Sequence, residues 1–242
     1  MKTRIIPLAI AILTLGLASC RINSNAVMGS GNVVTESRPV SDFSELVFAG
    51  AGDVTITQGE TESLTIEAED NILPRITTQV QNGKLTIGFD PKQPVRPTRP
   101  MRFNLSVKTL NAIALTGAGN IQASNLKAER FTVQLSGAGN LKINGLEAST
   151  VAVNSSGAGN FDLSGKADKQ DVMLTGFGNY NGGNLESQTS KVTISGAGNA
   201  TVWANTNLDV RISGAGSVGY YGNAVAQRVI SGAGTVTKLG TK

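Results

Sequence analysis

Histidine is missing from this 242-residue chain, and Cys20 is its only cysteine. Imidazole is the commonest general base and metal ligand, and thiolate is the other usual zinc ligand. Zinc sites and catalytic pairs of the serine–histidine or cysteine–histidine kind are therefore excluded as a class. No disulfide can form within one chain, so packing and hydrogen bonds must stabilise the fold. We expect neither a metal ion nor a cofactor.

Strong charge of one sign and a second long apolar run are also missing. The formal charge is +4, and it falls to about +2 without the first nineteen residues, so the chain gives no indication of binding nucleic acid. Beyond residue 20, no apolar stretch is long enough to cross a bilayer.

The N-terminus is the one strongly apolar part of the chain. Lys2 and Arg4 precede the apolar residues 5–17, which is the layout of a secretory signal. The tetrapeptide LASC, ending at Cys20, resembles the bacterial lipobox, whose cysteine is lipidated after cleavage in front of it. The alternative is a plain signal peptide followed by a cysteine placed there by chance. We favour lipidation because Cys20 is the only cysteine and a chance placement at this spot would be unusual. The expected modification adds two or more acyl chains, palmitate among them, which are enough for stable membrane anchoring.

These features divide the chain into a signal peptide, residues 1–19, a lipidated cysteine with a polar tether, residues 20–28, and one domain, residues 29–242. Arg21 stands where aspartate, in many bacteria with two membranes, retains a lipoprotein at the inner membrane. The expected location is therefore the cell envelope, and the outer membrane in a host that has one.

A glycine-flanked pentapeptide, SGAGN at Ser136–Asn140, recurs along the second half of the chain. The first glycines of seven near copies are separated by 20, 20, 19, 20, 18 and 18 residues. Earlier variants begin at Gly29 and Gly50. Repeats at one period predict a solenoid. The seven glycines are Gly117, Gly137, Gly157, Gly176, Gly196, Gly214 and Gly232.

Apolar and polar residues alternate on both sides of each copy, as they do in a half-buried strand. Each repeat therefore predicts a strand, a glycine corner, a second strand and a polar third side, which is one coil of a parallel β-helix. Glycine supplies the positive φ and the close backbone approach that a sharp corner needs. Stacked coils would align two polar columns able to hydrogen-bond from coil to coil. These are Thr116, Ser136, Ser156, Thr175, Ser195, Ser213 and Ser231, and Asn120, Asn140, Asn160, Asn179 and Asn199.

Residues 29–110 are less regular than residues 111–242. Residues 76–89 predict a hairpin around the turn dipeptide Asn82-Gly83, and the proline-rich residues 90–103 predict a stiff loop with little strand. We expect this part to cover the open end of the coil stack, since exposed strand edges aggregate. The glycine motif does not fit a phosphate loop, because no helix follows it, nor a calcium nonapeptide repeat, which needs aspartate at a nine-residue period.

Carboxylates are scattered and form no column from coil to coil. The acidic run from Glu67 to Asp70 is expected to be a solvated loop and strand edge. The one enzymatic alternative is a carbohydrate-active enzyme, a polysaccharide lyase or hydrolase, working on the wall of the β-helix, and we do not favour it.

Two features favour binding. One is the basic set in and after the proline-rich loop, which could meet anionic headgroups or acidic glycans or could simply be solvated. The other is Trp203 and Tyr221, each seven residues after its repeat glycine, which predicts an outward-facing aromatic pair on neighbouring coils. Such a pair suits a sugar ring or a protein partner, and the alternative is a patch packed under the C-terminal segment. The basic residues are Lys92, Arg96, Arg99, Arg102 and Lys108.

Beyond these patterns, the sequence resembles a known family over about residues 33–235. The segments that carry the resemblance are RPVSDF, GAGDVTITQG, EDNILP and the repeated GAGN. They are similar to the head GIN domain family of auto-transporter adhesins, which implies an all-β, right-handed parallel β-helix in bacterial envelope proteins that are often lipid-anchored. The family carries no catalytic or binding residues to transfer. Serine and threonine replace asparagine in the last two copies, and Phe177 replaces alanine in GFGN.

We therefore expect an all-β, lipid-anchored envelope β-helix with coils of about 18–20 residues that acts as a binding, adhesion or scaffolding module. The alternatives are the carbohydrate-active enzyme and a purely structural envelope protein. Expected partners are the membrane, through the anchor, and a glycan or surface protein. Oligomers through the coil ends are a further expectation. No catalytic residue is assigned, Cys20 is the lipidation site, and Trp203 and Tyr221 are the candidate ligand-binding residues.

Overall fold

The computed structural model describes residues 26–242, so the predicted signal peptide, Cys20 and the first part of the tether lie outside the described residues. Residues 26–242 contain no α-helix, and hence none able to span a membrane. One 3-10 turn, Leu73–Arg75, lies among nineteen strands. In chain order these are β1 Val27–Met28, β2 Val33–Arg38, β3 Glu45–Phe48, β4 Ala51–Gln58, β5 Ser63–Glu69, β6 Ile76–Gln81, β7 Lys84–Phe89, β8 Val95–Arg96, β9 Arg102–Val107, β10 Ala112–Leu115, β11 Ala118–Ser124, β12 Lys127–Leu135, β13 Ala138–Ser155, β14 Ala158–Leu174, β15 Phe177–Ile194, β16 Ala200–Ile212, β17 Ala215–Tyr221, β18 Val225–Ile230 and β19 Ala233–Gly240.

The repeats form stacked parallel coils, as the sequence predicts. In β11, β13, β14 and β15 the second glycine of each motif pairs in register with its counterpart on the next coil. The fold is a β-solenoid of about six turns. Its interior is lined by apolar columns, one of which is fully buried over six coils. That column is Ile113, Val133, Val153, Val172, Val192 and Val210.

The irregular N-terminal part adds strands in front of the regular coils. β3 and β4 pair directly with β10 and β11, so residues 59–111 are inserted between two adjacent coils. Within this insertion, β7 and β9 stack as a further parallel layer on the other side of β3 and β4. Antiparallel strands β2, β5 and β6 then extend this end. The predicted hairpin is confirmed: Asn82 and Gly83 have φ of 51° and 73°, the positive values of a type I′ turn.

Glycine is required at the corners because the stacked backbones touch there. At Gly139, φ is 151°, and a Cβ would overlap the carbonyl oxygen of Gly119 on the preceding coil. A Cβ on Gly137, the first glycine of the same motif, would overlap the carbonyl oxygen of Gly117. Each motif therefore needs glycine twice, and positive φ explains only one of the two positions.

The predicted asparagine ladder is present on the outside of the corner. Each Nδ2 donates to the Oδ1 of the preceding coil, at 2.9–3.2 Å from Asn140 to Asn199. The ladder begins at Asp53, whose carboxylate accepts from Asn120 at 2.9 Å. It ends where the backbone N–H of Ser217 donates to Asn199, with Thr235 bonded to Ser217 beyond.

The neighbouring hydroxyl column also bonds from coil to coil, but two of its threonines use backbone acceptors. Thr116 and Thr175 donate to backbone carbonyl oxygens of the preceding coil, those of Phe48 and Ser155.

The last coil, β18 and β19, presents an unpaired edge. Arg228 pairs with Val210 and Lys238 with Tyr220, so both cations take up core-column positions and extend to solvent. Ile230 and Val229 remain 41% and 60% exposed. Inward-pointing charges are a common device against edge-to-edge pairing, and here they interrupt an otherwise apolar coil end.

The corner contacts generate a first prediction. Gly139→Ala should lower the free energy of unfolding by about 2–4 kcal/mol, because the added methyl meets a backbone carbonyl and the φ is unfavourable for alanine. Chemical denaturation measures this loss. Gly59→Ala is the matched control, because a Cβ there would meet only the Ser106 hydroxyl at 4.0 Å. Equal stability of the two variants would contradict the corner argument.

Candidate functional site

The aromatic pair predicted from the sequence lies at the C-terminal end of the solenoid. Trp203 on β16 pairs in register with Tyr221 on β17. The neighbours of each along the chain, such as Val202 and Tyr220, are buried, so the two aromatic residues face outward. Both are half-buried rather than fully exposed.

These aromatic residues end a column of alternating charges on the third side of the solenoid. Lys127 and Glu147 form an ion pair of 2.9 Å in this column. Opposite charges on adjacent strands stabilise the register modestly. After Tyr221 the column continues with Gly240, which has no side chain to cover the tyrosine ring. The full column is Lys127, Glu147, Lys166, Glu186, Trp203, Tyr221 and Gly240.

A change in coil length forms the wall beside the pair. Between Gly182 and Glu186, β15 carries three residues that have no counterparts on β16. At the next irregularity, just after Ser187, β16 has two residues, Asn205 and Thr206, opposite a single residue of β15. The net excess of two matches the shortening of the repeat from 20 to 18 residues. The bulge brings Gly183 against the ring of Tyr221, since a Cβ on this glycine would lie 3.3 Å from that ring.

Lys242 lies over both rings. Its Nζ is 4.4 Å from the centre of the Tyr221 ring and 5.5 Å from the centre of the Trp203 ring. The same Nζ donates to the Gly183 carbonyl oxygen at 2.7 Å and to Asn184 Oδ1 at 2.6 Å. We call the four residues Gly183, Asn184, Trp203 and Tyr221 the aromatic cradle. The C-terminal segment thus covers the pair in part, which was the alternative considered from the sequence.

Hydrogen bonds fix the indole of Trp203. Its Nε1 donates to Asn205 Oδ1 at 3.0 Å, and Asn205 Nδ2 donates to Glu186 Oε1 at 3.1 Å. Asn205 belongs to the extra residues of β16 described above. The same length change therefore supplies both the wall of the cradle and the side chain that orients its floor.

A buried polar network supports the backbone beneath the cradle. Ser187 Oγ donates to the Trp203 carbonyl oxygen at 2.6 Å, and Gln170 Nε2 donates to Ser187 Oγ at 3.0 Å. The Tyr180 hydroxyl donates to Gln170 Oε1 at 2.9 Å, and burial raises the pKa of this tyrosine far above its usual range. In residues 26–242 no buried side-chain nitrogen or oxygen lacks a partner. This network is not evident from the sequence, because the counterparts of Gln170 on the two preceding coils, Val151 and Phe131, are apolar.

The acidic run between Glu67 and Asp70 is not a solvated edge throughout, so that expectation was wrong for Glu69. Glu69 is 1% exposed. Its carboxylate accepts from the backbone N–H groups of Gly31 at 2.7 Å, Thr98 at 2.8 Å and Arg99 at 3.3 Å, and from the Thr98 hydroxyl. We call this arrangement the Glu69 clasp.

The clasp joins three segments that are distant in the sequence. Asp70 extends it by accepting from Ser30 and Asn32. β1 completes the attachment by pairing with β8 of the proline-rich loop. These contacts hold residues 27–32 to the antiparallel end of the solenoid. Hydrogen bonds to the carboxylates, first from Thr98 and from Ser30 respectively, lower the pKa of Glu69 and of Asp70.

The other candidate residues are separate from the cradle. All five cations of the basic set are exposed, and Arg96 pairs with Met28, so part of the set lies at the antiparallel end. Arg102 lies 3.6 Å from Glu67 and Lys108 lies 3.9 Å from Glu62. Among residues 26–242, no group of three or more acidic side chains is placed to hold a metal ion.

The Glu69 clasp generates a pH prediction. Because the folded-state pKa of Glu69 is below that of the unfolded chain, the clasp stabilises the fold above the unfolded-state value, about 4.3. This contribution is lost as pH falls through the folded-state pKa. Glu69→Gln should lower the melting temperature at pH 7, and its gap from the wild type should narrow below pH 4, as calorimetry would measure.

Glu67→Gln is the matched control on the same strand, since Glu67 faces Arg102 across a solvent-exposed ion pair. This variant should melt close to the wild type at both pH values. A gap for Glu69→Gln that stays constant from pH 7 to pH 3 would contradict the clasp.

The sequence matches a family described as "Putative auto-transporter adhesin, head GIN domain" over residues 42–224. No curated protein matches the chain. Solved structures with the same fold include a "putative adhesin" from Bacteroides fragilis. It is 26% identical with a TM-score of 0.84, and the match covers 88% of this chain and all of that one.

Two structures from Parabacteroides distasonis are also similar. One, described as a "putative adhesin", is 25% identical with a TM-score of 0.65, over 88% of this chain and all of that one. The other, described as a "Putative lipid binding protein", is 20% identical with a TM-score of 0.72, over 88% of this chain and 99% of that one. The resemblance drawn from the repeats is confirmed: the chain belongs to the head GIN domain family.

Proposed function

We propose that this protein is a lipid-anchored module of the bacterial cell envelope that binds a glycan or a surface protein through the aromatic cradle and carries out no catalysis. An adhesion-like role agrees with the description of the family and of the similar structure from Bacteroides fragilis. The observation that carries the proposal is that the cradle and the chain segment leading to Cys20 lie at opposite ends of the solenoid.

The separation follows from the order of the strands. β9, beside the Glu69 clasp, and β16, which carries Trp203, are six steps apart in the stack. At about 4.8 Å for each step, the cradle stands roughly 29 Å along the axis from the attached end. Cys20 precedes residue 26 by six residues, which span at most about 22 Å when extended. An anchor at Cys20 would therefore keep the antiparallel end at the bilayer and the cradle away from it.

Exposed cations support the same orientation. Lys92, Arg96 and Arg99 lie in the proline-rich loop, whose strand β8 pairs with β1 at the attached end. Cations near a bilayer gain about 1 kcal/mol each from anionic headgroups. These cations would add to the membrane affinity that the acyl chains provide, although the acyl chains alone suffice for anchoring.

The hydrogen bonding of Glu69, the most buried carboxylate, supports the proposal that the protein carries out no catalysis. Glu69 has the donor-saturated environment of a structural carboxylate, with three N–H groups and one hydroxyl bonded to it. A general acid or base needs a free proton-accepting position and a pKa near the working pH, and the lowered pKa of Glu69 moves away from neutrality.

Binding is tested with the soluble protein beginning at Arg21. The double variant Trp203→Ala, Tyr221→Ala should lose at least tenfold in affinity for whichever glycan or envelope surface the wild type binds, because aromatic anchors dominate such contacts. A glycan array and binding to intact cells measure this. Phe177→Ala, which removes an aromatic ring that is 71% exposed at a corner, should bind as the wild type does. Unchanged binding by the double variant would refute the role of the cradle.

Anchoring is tested in the bacterial host. Cys20→Ser should move the protein from the membrane fraction to the soluble fraction and abolish incorporation of labelled palmitate, because serine cannot form the thioether that carries the lipid. Fractionation and labelling measure the two effects. A membrane-bound Cys20→Ser protein, or a wild type without label, would contradict lipid anchoring.

A further inference from the structure

We propose that the aromatic cradle is a binding site for primary alkylammonium groups, and that the side chain of Lys242 occupies it as an internal ligand. The proposal rests on the function proposed above, since it names the chemical class that the cradle would take from a partner. Lysine side chains of a protein and an ethanolamine headgroup share this chemistry.

The contacts of Lys242 are those of a built cation site. A primary ammonium group has three N–H donors. Two of them are accepted by the Gly183 carbonyl oxygen and Asn184 Oδ1, at 2.7 and 2.6 Å. The remaining face of the ammonium group meets the rings of Tyr221 and Trp203 within the roughly 6 Å over which cation–π attraction acts.

Other parts of the protein hold the cradle in place independently of Lys242. The indole is oriented by Asn205, and the Trp203 backbone is held by Ser187. Gly183 is buried against the Tyr221 ring, within the bulge that accompanies the difference in coil length. When Lys242 leaves, two π faces and the Gly183 carbonyl oxygen therefore remain in position, and the exposed Asn184 amide beside them can accept from another ammonium group.

The charge beside the cradle suits a cation. Glu186 stands next to Trp203 in the outward column and accepts a hydrogen bond from Asn205, which in turn accepts one from the indole. Since Lys166 occupies the adjacent position of the column, the carboxylate lies between a cation and the aromatic rings. A second cation on the ring side would complete the alternation of charge that runs along this column.

Lys242 can leave without disturbing the solenoid. β19 ends at Gly240, and Lys242 follows two residues later outside any strand. Because the lysine is tethered, it competes with an external ammonium group at an effective concentration in the millimolar range. The apparent affinity of the wild type for an external ammonium group therefore falls in proportion to the fraction of molecules whose cradle is free of Lys242.

The two oxygen acceptors predict selectivity. n-Butylammonium can donate to both acceptors, whereas tetramethylammonium can use only the rings. We therefore expect the primary ammonium to bind more tightly than the quaternary one, in contrast to a cage made of aromatic rings alone.

Intrinsic fluorescence tests the proposal directly, because Trp203 is the only tryptophan in the sequence. The soluble protein is titrated with n-butylammonium chloride at constant ionic strength. Lys242→Gln should show a saturable change in emission, at about tenfold lower concentration than the wild type. Lys238→Gln, which removes a nearby lysine that contacts Asn223 instead, should titrate as the wild type does. Tyr221→Ala in the Lys242→Gln background should abolish the response.

NMR tests the internal ligand in the unmodified protein. Ring currents should shift the ε-methylene protons of Lys242 upfield, and added n-butylammonium should return them towards ordinary values. Nα-acetyl-lysine methylamide and phosphoethanolamine, compared in the Lys242→Gln protein, distinguish a protein side chain from a lipid headgroup as the preferred source, and tighter binding of either supports the proposal.

The result that overturns the proposal is a folded Lys242→Gln protein with no saturable response to n-butylammonium, or one that binds tetramethylammonium equally well. The glycan and cell-binding experiment separates this failure from that of the broader function. Loss of binding in the Trp203→Ala, Tyr221→Ala variant without any ammonium response would leave the cradle as a binding site for another class of ligand.

Discussion

Direct contact between stacked backbones at the glycine corners is the constraint on which the rest of the solenoid depends. A carbonyl oxygen of one coil lies where the Cβ of the next would be, at both glycines of each motif. Neither position tolerates a side chain, so each turn of the chain must place glycine at both of these corner positions. This repeated return places equivalent residues in register and makes the interior columns, the asparagine ladder and the outward charged column possible.

Columns of like residues have a direction, and their ends must be chemically different from their middles. Asparagine can occupy interior rungs because its amide both donates and accepts. A carboxylate only accepts, and Asp53 is accordingly found at the rung where the first Nδ2 needs an acceptor. At the other end, Ser217 donates through its backbone N–H. In the core, the valine column changes to Arg228 at the last coil. A change of residue type within a column therefore marks each end of the solenoid.

Much of this architecture could be predicted from the sequence because its causes are local or periodic. Period-2 alternation, the glycine spacing and the Asn82-Gly83 dipeptide each act over a few residues, and the aromatic pair followed from the spacing alone. Features assembled from distant segments could not be foreseen. The partners of Glu69 come from Gly31 and Thr98, and the cradle joins a bulge in β15 to Lys242. Another such feature is the stacking of β7 on β3 and of β9 on β4, on the side opposite the regular coils.

A perfect repeat offers the same surface at every coil, so a unique site requires that the repeat be broken. In this protein the break is the shortening of the coil by two residues after β15. It places Gly183 and Asn184 beside the aromatic rings and supplies Asn205 to orient the indole. It also coincides with the change of the outward column from charged to aromatic residues at Trp203. One local change in coil length therefore accounts for the wall, the floor and the position of the cradle.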